Sequence, residues 1–250
     1  MLTWLVRERR KQDPRPVCLL DRNGRIRAHP LWAGNPGITT DLGGAQVLIE
    51  GPGVRHYIER KTSTRWTWIP HPDREPGELF LPPAPRKVAQ PYIYIEPNSK
   101  PQASPNKDWG FRNYQAVVDA LGGETFVQCG PGRQLKRART FPLTSLDHAL
   151  QYLRHARLYV GPEGGMHHAA AALGVPAVVI FGGFIAPDVT GYRTHINLFT
   201  GGEACGMRVA CAHCAKAMAA ITVDQVVDSI RALMLAETAS LKVPSCSPVR

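Results

Sequence analysis

The chain has 250 residues, of which 44% are apolar and 20% charged, enough for one large or two small globular cores. No stretch reaches the roughly 18 uninterrupted apolar residues of a membrane span, and residues 1–11 place basic side chains after apolar ones, the reverse of a secretory signal, so a cytoplasmic protein is expected. Thirty Lys and Arg against twenty Asp and Glu give a formal charge of +10; this suits a polyanionic partner such as nucleic acid, an anionic membrane surface met peripherally, or a phosphorylated saccharide, with a solvated basic surface as the plain alternative.

Residues 1–11 read as a strand or a short amphipathic helix, and 17–20 as a strand. Asp21-Arg22-Asn23-Gly24 follows as a turn, since Asn-Gly is a strong hairpin signal. Residues 29–44 are dense in Gly and Pro and lack a period, which predicts a loop; long loops inside compact domains are more often functional than idle. Asp41 lies in that loop, before a strand at 46–50. Residues 55–68 (RHYIERKTSTRWTW) interleave cations with Tyr57, Trp66 and Trp68, a pattern that binds phosphates and stacks on bases or sugars or, equally, an amphipathic strand pair. Prolines at 70, 72, 76, 82, 83, 85 and 91 mark an extended linker. A domain boundary is placed there, giving an N-terminal unit over 1–88, a second over 89–236 and a tail over 237–250.

The second unit opens with a strand (YIYIEP) running into Asn98-Ser99-Lys100, then Lys107-Asp108-Trp109 and a helix over 111–121. Residues 124–129 read as a strand ending at the Gly130-Pro131-Gly132 turn, at the carboxyl edge where open α/β sheets bind ligands. Residues 143–156 read as a helix capped by Thr144 or Ser145. The stretch 158–183 (LYVGPEGGMHHAAAALGVPAVVIFGG) is strand, glycine turn, Ala-rich helix and strand, a parallel crossover unit. Gly164 and Gly165 allow close backbone approach, and the first N–H groups of the helix with its positive dipole end form an anion site. His167 and His168 lie in that first turn, where a neutral ring can donate to a phosphate. An ordinary tight connection is the alternative.

The pattern formed by Glu163, Gly165, His168, Ala170, Ala172, Gly174 and Pro176 resembles the donor-site signature of the heptosyltransferase-like glycosyltransferases (glycosyltransferase family 9). The resemblance implies an α/β chain of GT-B type with two Rossmann-like domains, here with a reduced N-terminal one. It further implies metal-independent, inverting transfer of a sugar from a nucleoside-diphosphate sugar to an acceptor hydroxyl, the acceptor being a bacterial surface saccharide of the lipopolysaccharide type. By the same resemblance Asn98, Ser99, Lys107, Gly130, Glu163, Gly164, Gly165, Met166, His167 and His168 line the donor site, and Lys107 neutralises the leaving diphosphate. Two departures stand out: Glu163 replaces the usual Asp, and Gly164 replaces a Ser or Thr whose hydroxyl would reach phosphate. The usual Gly-Asp near the start of the chain is missing, so the base that takes the acceptor proton is assigned to Asp41, with Asp13 and Asp21 as competitors. The short, basic, aromatic N-terminal part leaves two further readings: a phage-type enzyme glycosylating hydroxymethylated DNA bases, which must flip out to be reached, and a non-catalytic nucleotide- or polyanion-binding module.

Beyond the crossover, Tyr192 and His195 are candidates to line the cleft. Cys205, Cys211 and Cys214 form C-x5-C-x2-C with His213 beside the last; a zinc site takes four ligands, and three reduced cysteines without metal are the expectation. A helix over 223–235 carries Val226, Val227, Ile230 and Leu233 on one stripe.

Overall fold

The computed structural model describes residues 2–51, 55–98, 104–200 and 202–241. The first segment is helix α1 (Leu2–Gln12), with Arg9, Arg10 and Lys11 in its last turn, where the negative end of the dipole favours them; this settles the strand-or-helix ambiguity. Strands β1 (Val17–Leu20), β2 (Ile38–Thr39) and β3 (Gln46–Ile49) form a parallel sheet in the order β2-β1-β3. Val6 of α1 packs on Val17 and Leu19, with Ile38 and Leu48 closing a small core. The expected Asn-Gly turn is made: Asp21 Oδ1 accepts the N–H groups of Asn23 and Arg25 at 2.8 and 2.9 Å, and Gly24 has φ +75°. Only a single antiparallel bridge, Leu20 to Ile26, follows it, because β1 takes its longer pairings from β2 and β3. The stretch 29–44 is not all loop; it holds a 3-10 turn at Pro30–Trp32 and β2.

Next come β4 (Ile58–Lys61) and β5 (Trp66–Trp68), an antiparallel pair. Here the strand-pair reading of 55–68 prevails: Trp66 and Tyr57 are buried in the main core with Trp68 packed against it, while Arg55, Arg60, Lys61 and Arg65 are exposed. Arg55, Lys61 and Arg208 lie over the Trp66 ring at 5.0, 5.4 and 4.8 Å, so these cations cover the aromatic rather than leave it free to stack.

The larger sheet contains β6 (Ile93–Ile95), β7 (Phe126–Cys129), β8 (Arg139–Phe141), β9 (Leu158–Pro162), β10 (Ala177–Gly182) and β11 (His195–Phe199). All six are parallel, in the order β11-β10-β9-β6-β7-β8. Counted from β6, that is the doubly wound 3-2-1-4-5-6 order, whose winding reverses between β6 and β9. Between the strands run α2 (Phe111–Ala120), α3 (Leu146–Leu153), α4 (Gly165–Ala172) and α5 (Pro187–Thr190), and after them α6 (Ala212–Ala219) and α7 (Val223–Leu241). Side chains alternate between two buried faces. Ile93, Ile95, Val160, Val178 and Ile180 meet Val117, Val118 of α2 and Val226, Val227, Ile230 of α7. Tyr94, Tyr159, Val179 and Phe181 meet Leu150 and Leu153 of α3 and Ala169, Ala170 of α4. Ser145 caps α3 by accepting the N–H of His148. Helix α7 continues to Leu241, past the residue where the sequence suggested a tail.

The proline-rich segment is extended, as its composition requires, but it is fastened along its length. Pro82 O accepts from Arg154 Nη1 at 2.9 Å and Gln151 Nε2 at 3.3 Å, and Val88 is buried. No helix among the described residues is long and apolar enough to cross a membrane.

Candidate functional site

The described donor-site candidates gather at the carboxyl ends of three adjacent strands, β7, β6 and β9, on either side of the point where the sheet reverses. Ligands bind in that crevice in open α/β sheets. At the β7 end, Gly130 adopts φ +113°, which only glycine takes readily. Asn98, leaving β6, donates its amide to Arg133 O at 3.1 Å and so ties the β6 end to the β7 turn. Ser99 lies outside the described residues.

Lys107 ends a 3-10 turn (Pro105–Lys107) capped by Ser104, whose hydroxyl accepts the N–H of Asn106. Two anchors fix its place. Asn106 Nδ2 donates to Met207 O and Val209 O at 2.6 and 2.8 Å, and buried Trp109 donates its indole N–H to Ile221 O at 2.8 Å. The Lys107 ammonium forms an ion pair with Glu163, whose side chain is 2% exposed. It also lies 5.2 Å from the Phe184 ring, which packs against Trp68. Burial would raise the Glu163 carboxyl, but the Lys107 ammonium outweighs it, by charge and by hydrogen bond, and holds the group below its ordinary value. Glu163 is therefore ionised, and the pair bridges the two strands at the reversal.

The glycine turn after β9 opens α4 as the sequence implied. A Cβ built on Gly164 or Gly165 would meet nothing within 4 Å, so the helix start faces open space. The helical ladder begins with His168 N donating to Gly164 O, and the preceding N–H groups point outward from the helix end. Met166 turns its side chain into the core, so only its backbone faces this end.

The two histidines divide. His167 is fully buried, and Nδ1 accepts the Gly164 N–H at 2.9 Å while Nε2 meets Thr190 O at 2.9 Å. This pair of contacts requires a neutral ring protonated on Nε2. Burial lowers its pKa, against the pull of Glu163. The expected ring contact to a phosphate is thus corrected: both nitrogens are committed to backbone, and His167 shapes the turn. His168 stands nearer the opening, with Nδ1 2.8 Å from the Tyr192 hydroxyl and Nε2 3.9 Å from Glu163 Oε1. Burial first, with the nearby Lys107 and Arg74 cations, pushes it well below the usual histidine range. With Tyr192 donating to Nδ1, Nε2 carries a hydrogen available to a ligand. Tyr192 and His195, both buried, back this cluster.

Asp41 sits in an Asx turn beyond β2, exposed, with Oδ1 accepting the Gly43 N–H at 2.9 Å. On the same carboxyl edge of the small sheet the sequence analysis missed a second group. Glu50, directly after β3 and 6% exposed, lies 2.6 Å from His56 Nε2. No local pattern announces that pair. The neighbouring Tyr57 belongs to the same core as Phe184, and Glu163 contributes to raising its phenol above the usual range, after burial, so this segment approaches the Lys107–Glu163 pair.

A doubly wound parallel sheet preceded by a smaller parallel sheet is the α/β architecture of GT-B type. The family description Glycosyltransferase family 9 (heptosyltransferase) matches residues 73–210, and the chain belongs to that family. Lipopolysaccharide heptosyltransferase 3 of Escherichia coli is 28% identical over 112 residues, 38% of this chain and 32% of that protein. The solved structure of the iron-containing dodecameric glycosyltransferase TibC from enterotoxigenic E. coli H10407 shares the fold with a TM-score of 0.54 at 24% identity, over 66% of this chain and 51% of that one. TibC in complex with ADP-D-beta-D-heptose gives a TM-score of 0.52 at 22% identity, over 64% and 49%. The chain thus spans about a third of the curated relative and about half of the solved ones.

Proposed function

We propose that the protein moves a sugar from a nucleoside-diphosphate sugar to a hydroxyl of a bacterial surface saccharide of the lipopolysaccharide type, with inversion and without a metal at the reacting centre. The observation that carries this reading is the Lys107–Glu163 pair beside the open start of α4, at the reversal point of a doubly wound sheet. Family membership supports transfer chemistry, and the names of the E. coli relative and of the TibC complex make ADP-heptose the first donor to try. Residues 1–88 would serve the acceptor and 89–236 the donor, on the cytoplasmic side of the membrane.

In this reading the diphosphate lies against the N–H groups of Gly165 and Met166, where the helix dipole favours an anion. Lys107 has three N–H donors, one of them on Glu163, which leaves the others for phosphate oxygens. As the bond from the anomeric carbon to the diphosphate breaks, its electron pair stays on the departing oxygen. A cation and oriented N–H groups fixed there beforehand stabilise that charge. The acceptor oxygen bonds to the carbon from the opposite face, and its proton passes to a base on the carboxyl edge of the small sheet. Asp41 is the proposed base; the His56–Glu50 pair is its competitor. Burial of Tyr57 and Trp66, with Trp68 packed against them, leaves little aromatic surface for the base stacking that a DNA acceptor would use, and so favours the saccharide reading.

Incubation with ADP-heptose and other nucleotide-sugars, a truncated core saccharide as acceptor and mass detection should show one glycosyl addition. Asp41→Asn should cut the rate by about 10²–10⁴-fold with nucleotide affinity unchanged. If His56→Gln does so instead, the base belongs to the pair. Nucleotide binding without transfer to any acceptor would contradict the proposal and favour a non-catalytic module.

A further inference from the structure

Outside the donor crevice, the loop before α6 and the first turn of that helix bring together four side chains that the transfer chemistry does not use. The Sγ atoms of Cys205, Cys211 and Cys214 and a ring nitrogen of His213 all lie within 4.8 Å of one another. Cys205 Sγ is 3.7 Å from Cys211 Sγ and 3.0 Å from Cys214 Sγ, and His213 Nδ1 is 4.0 Å from Cys214 Sγ. A tetrahedral ion with metal–sulfur bonds of about 2.3 Å holds its sulfurs roughly 3.8 Å apart; the Cys205–Cys211 spacing matches this, and Cys214 would move outward by under an ångström to join them. The backbone is shaped for the purpose as well. Met207 N and Cys214 N each donate to a sulfur, Cys205 and Cys211 respectively, at 3.4 Å, and such bonds orient sulfur ligands and tune the metal they hold. Cys211 is also the N-cap of α6, so that helix's positive end faces it.

We infer that Cys205, Cys211, His213 and Cys214 form a structural site for a soft divalent cation of the zinc or iron class, and that this site fixes the turn carrying Lys107. Three sulfurs and one imidazole suit such ions, whereas magnesium and calcium take oxygen ligands. The three thiols are free, as the sequence suggested, and the inference adds an ion that they and His213 would hold. The second half of the inference follows from what the loop touches. Between the first two ligands, Met207 O and Val209 O receive the Asn106 amide, and Cys211 N donates back to Asn106 Oδ1 at 3.2 Å. Ser104, the cap of the same turn, donates to Met207 O. The loop is pinned in turn to the large sheet, Cys205 N to Gly183 O and Gly206 N to Phe184 O, and to the hairpin, Trp66 N to Gly206 O. At Gly206, φ is +65° and a Cβ would come within 1.8 Å of Trp66 O, so the approach demands glycine. An ion locking this loop therefore locks Asn106, and with it Lys107 next in sequence.

The metal site stands without the transfer reading; only its link to diphosphate binding rests on that reading. Protein purified without added chelator should carry one equivalent of zinc or iron by elemental analysis, and Cys211→Ser and Cys214→Ser should each lose it and melt at a lower temperature. Cobalt(II) exchanged into the emptied protein should show the visible absorption of a tetrahedral thiolate complex. Asn106→Ala should keep the metal yet weaken ADP binding about tenfold, the outer-shell scale. Metal-free protein with unchanged melting temperature, or a Cys205–Cys214 disulfide found by mass spectrometry of unreduced protein, would overturn the site. Full metal content with undiminished ADP affinity in Asn106→Ala would overturn the link to Lys107 alone.

Discussion

Replacing Lys107 by methionine should lower glycosyl transfer by about 10²–10³-fold, the effect of losing one preorganised donor at a developing oxyanion. The same change strands the Glu163 carboxylate, 2% exposed, without its cation. Removing one partner of a buried pair costs about 3–5 kcal/mol, because an uncompensated charge stays behind, and with Lys107 gone burial would push the carboxyl pKa upward. The two effects separate in the double variant Lys107→Met/Glu163→Gln. Stability should return to near wild type, since a neutral amide replaces the buried charge, while transfer stays low. Chemical denaturation together with single-turnover rates measures both. Recovery of rate with stability would mean that Lys107 only supports the fold.

Stability should fall as the solution is acidified below pH 6.5. His167, His168 and His195 are each held neutral by burial first, His195 with its pKa lowered to about 3. In the unfolded chain each takes a proton near its ordinary value of about 6.5. Below that pH the unfolded state binds more protons than the folded one, so the contribution is complete above 6.5 and is lost as pH falls towards the folded values. At pH 5 the loss from His195 alone is about 2 kcal/mol, at 1.36 kcal/mol per pKa unit, and the other two act in the same direction. Glu163, held below its ordinary value by Lys107 despite burial, adds a further loss only at lower pH still, as pH falls through its folded value. Against a typical total of about 5–15 kcal/mol, this is a large change. Denaturant titrations at pH 7, 6 and 5 should show it, and His195→Leu should flatten the slope. Equal stability at pH 7 and pH 5 would contradict the buried, neutral assignment.

The parts of the site that could be read from the chain are those built from neighbours in sequence. The crossover from β9 through α4 to β10 was visible because its apolar runs, its glycines and its alanines each act within a few residues. Lys107 and Trp109 were visible only through resemblance, and their geometry explains the spacing: the indole anchors to Ile221 O while the lysine two residues earlier reaches Glu163. The double engagement of His167 was not legible, since one of its partners, Thr190 O, lies 23 residues on. The Glu50–His56 pair has no local signature for the same reason. Strand β8 is three residues, Arg139–Phe141, and gains its identity only by pairing with β7. Helix α6 passed unseen because alanine, cysteine and lysine give its eight residues little apolar stripe; its cap, Cys211, looked like part of a cysteine cluster and serves as both. The sequence left the aromatic residues of 55–68 undecided between a stacking surface and a strand pair, because their packing partner Phe184 lies more than a hundred residues away.

The central claim, that a nucleoside diphosphate sits on the start of α4, is tested most directly by calorimetric titration of ADP, UDP and GDP into wild type and Gly165→Asp. The new side chain enters open space, and an acid in the first turn of a helix stabilises it by about 0.3–1 kcal/mol, so the variant should melt no lower than wild type. Its carboxylate would occupy the place of the diphosphate. The account predicts that wild type binds at least one of the three nucleotides and that the variant binds it at least about tenfold more weakly, an unfavourable change of about 1.4 kcal/mol or more. Equal affinity in the two proteins would place the diphosphate elsewhere and contradict the account.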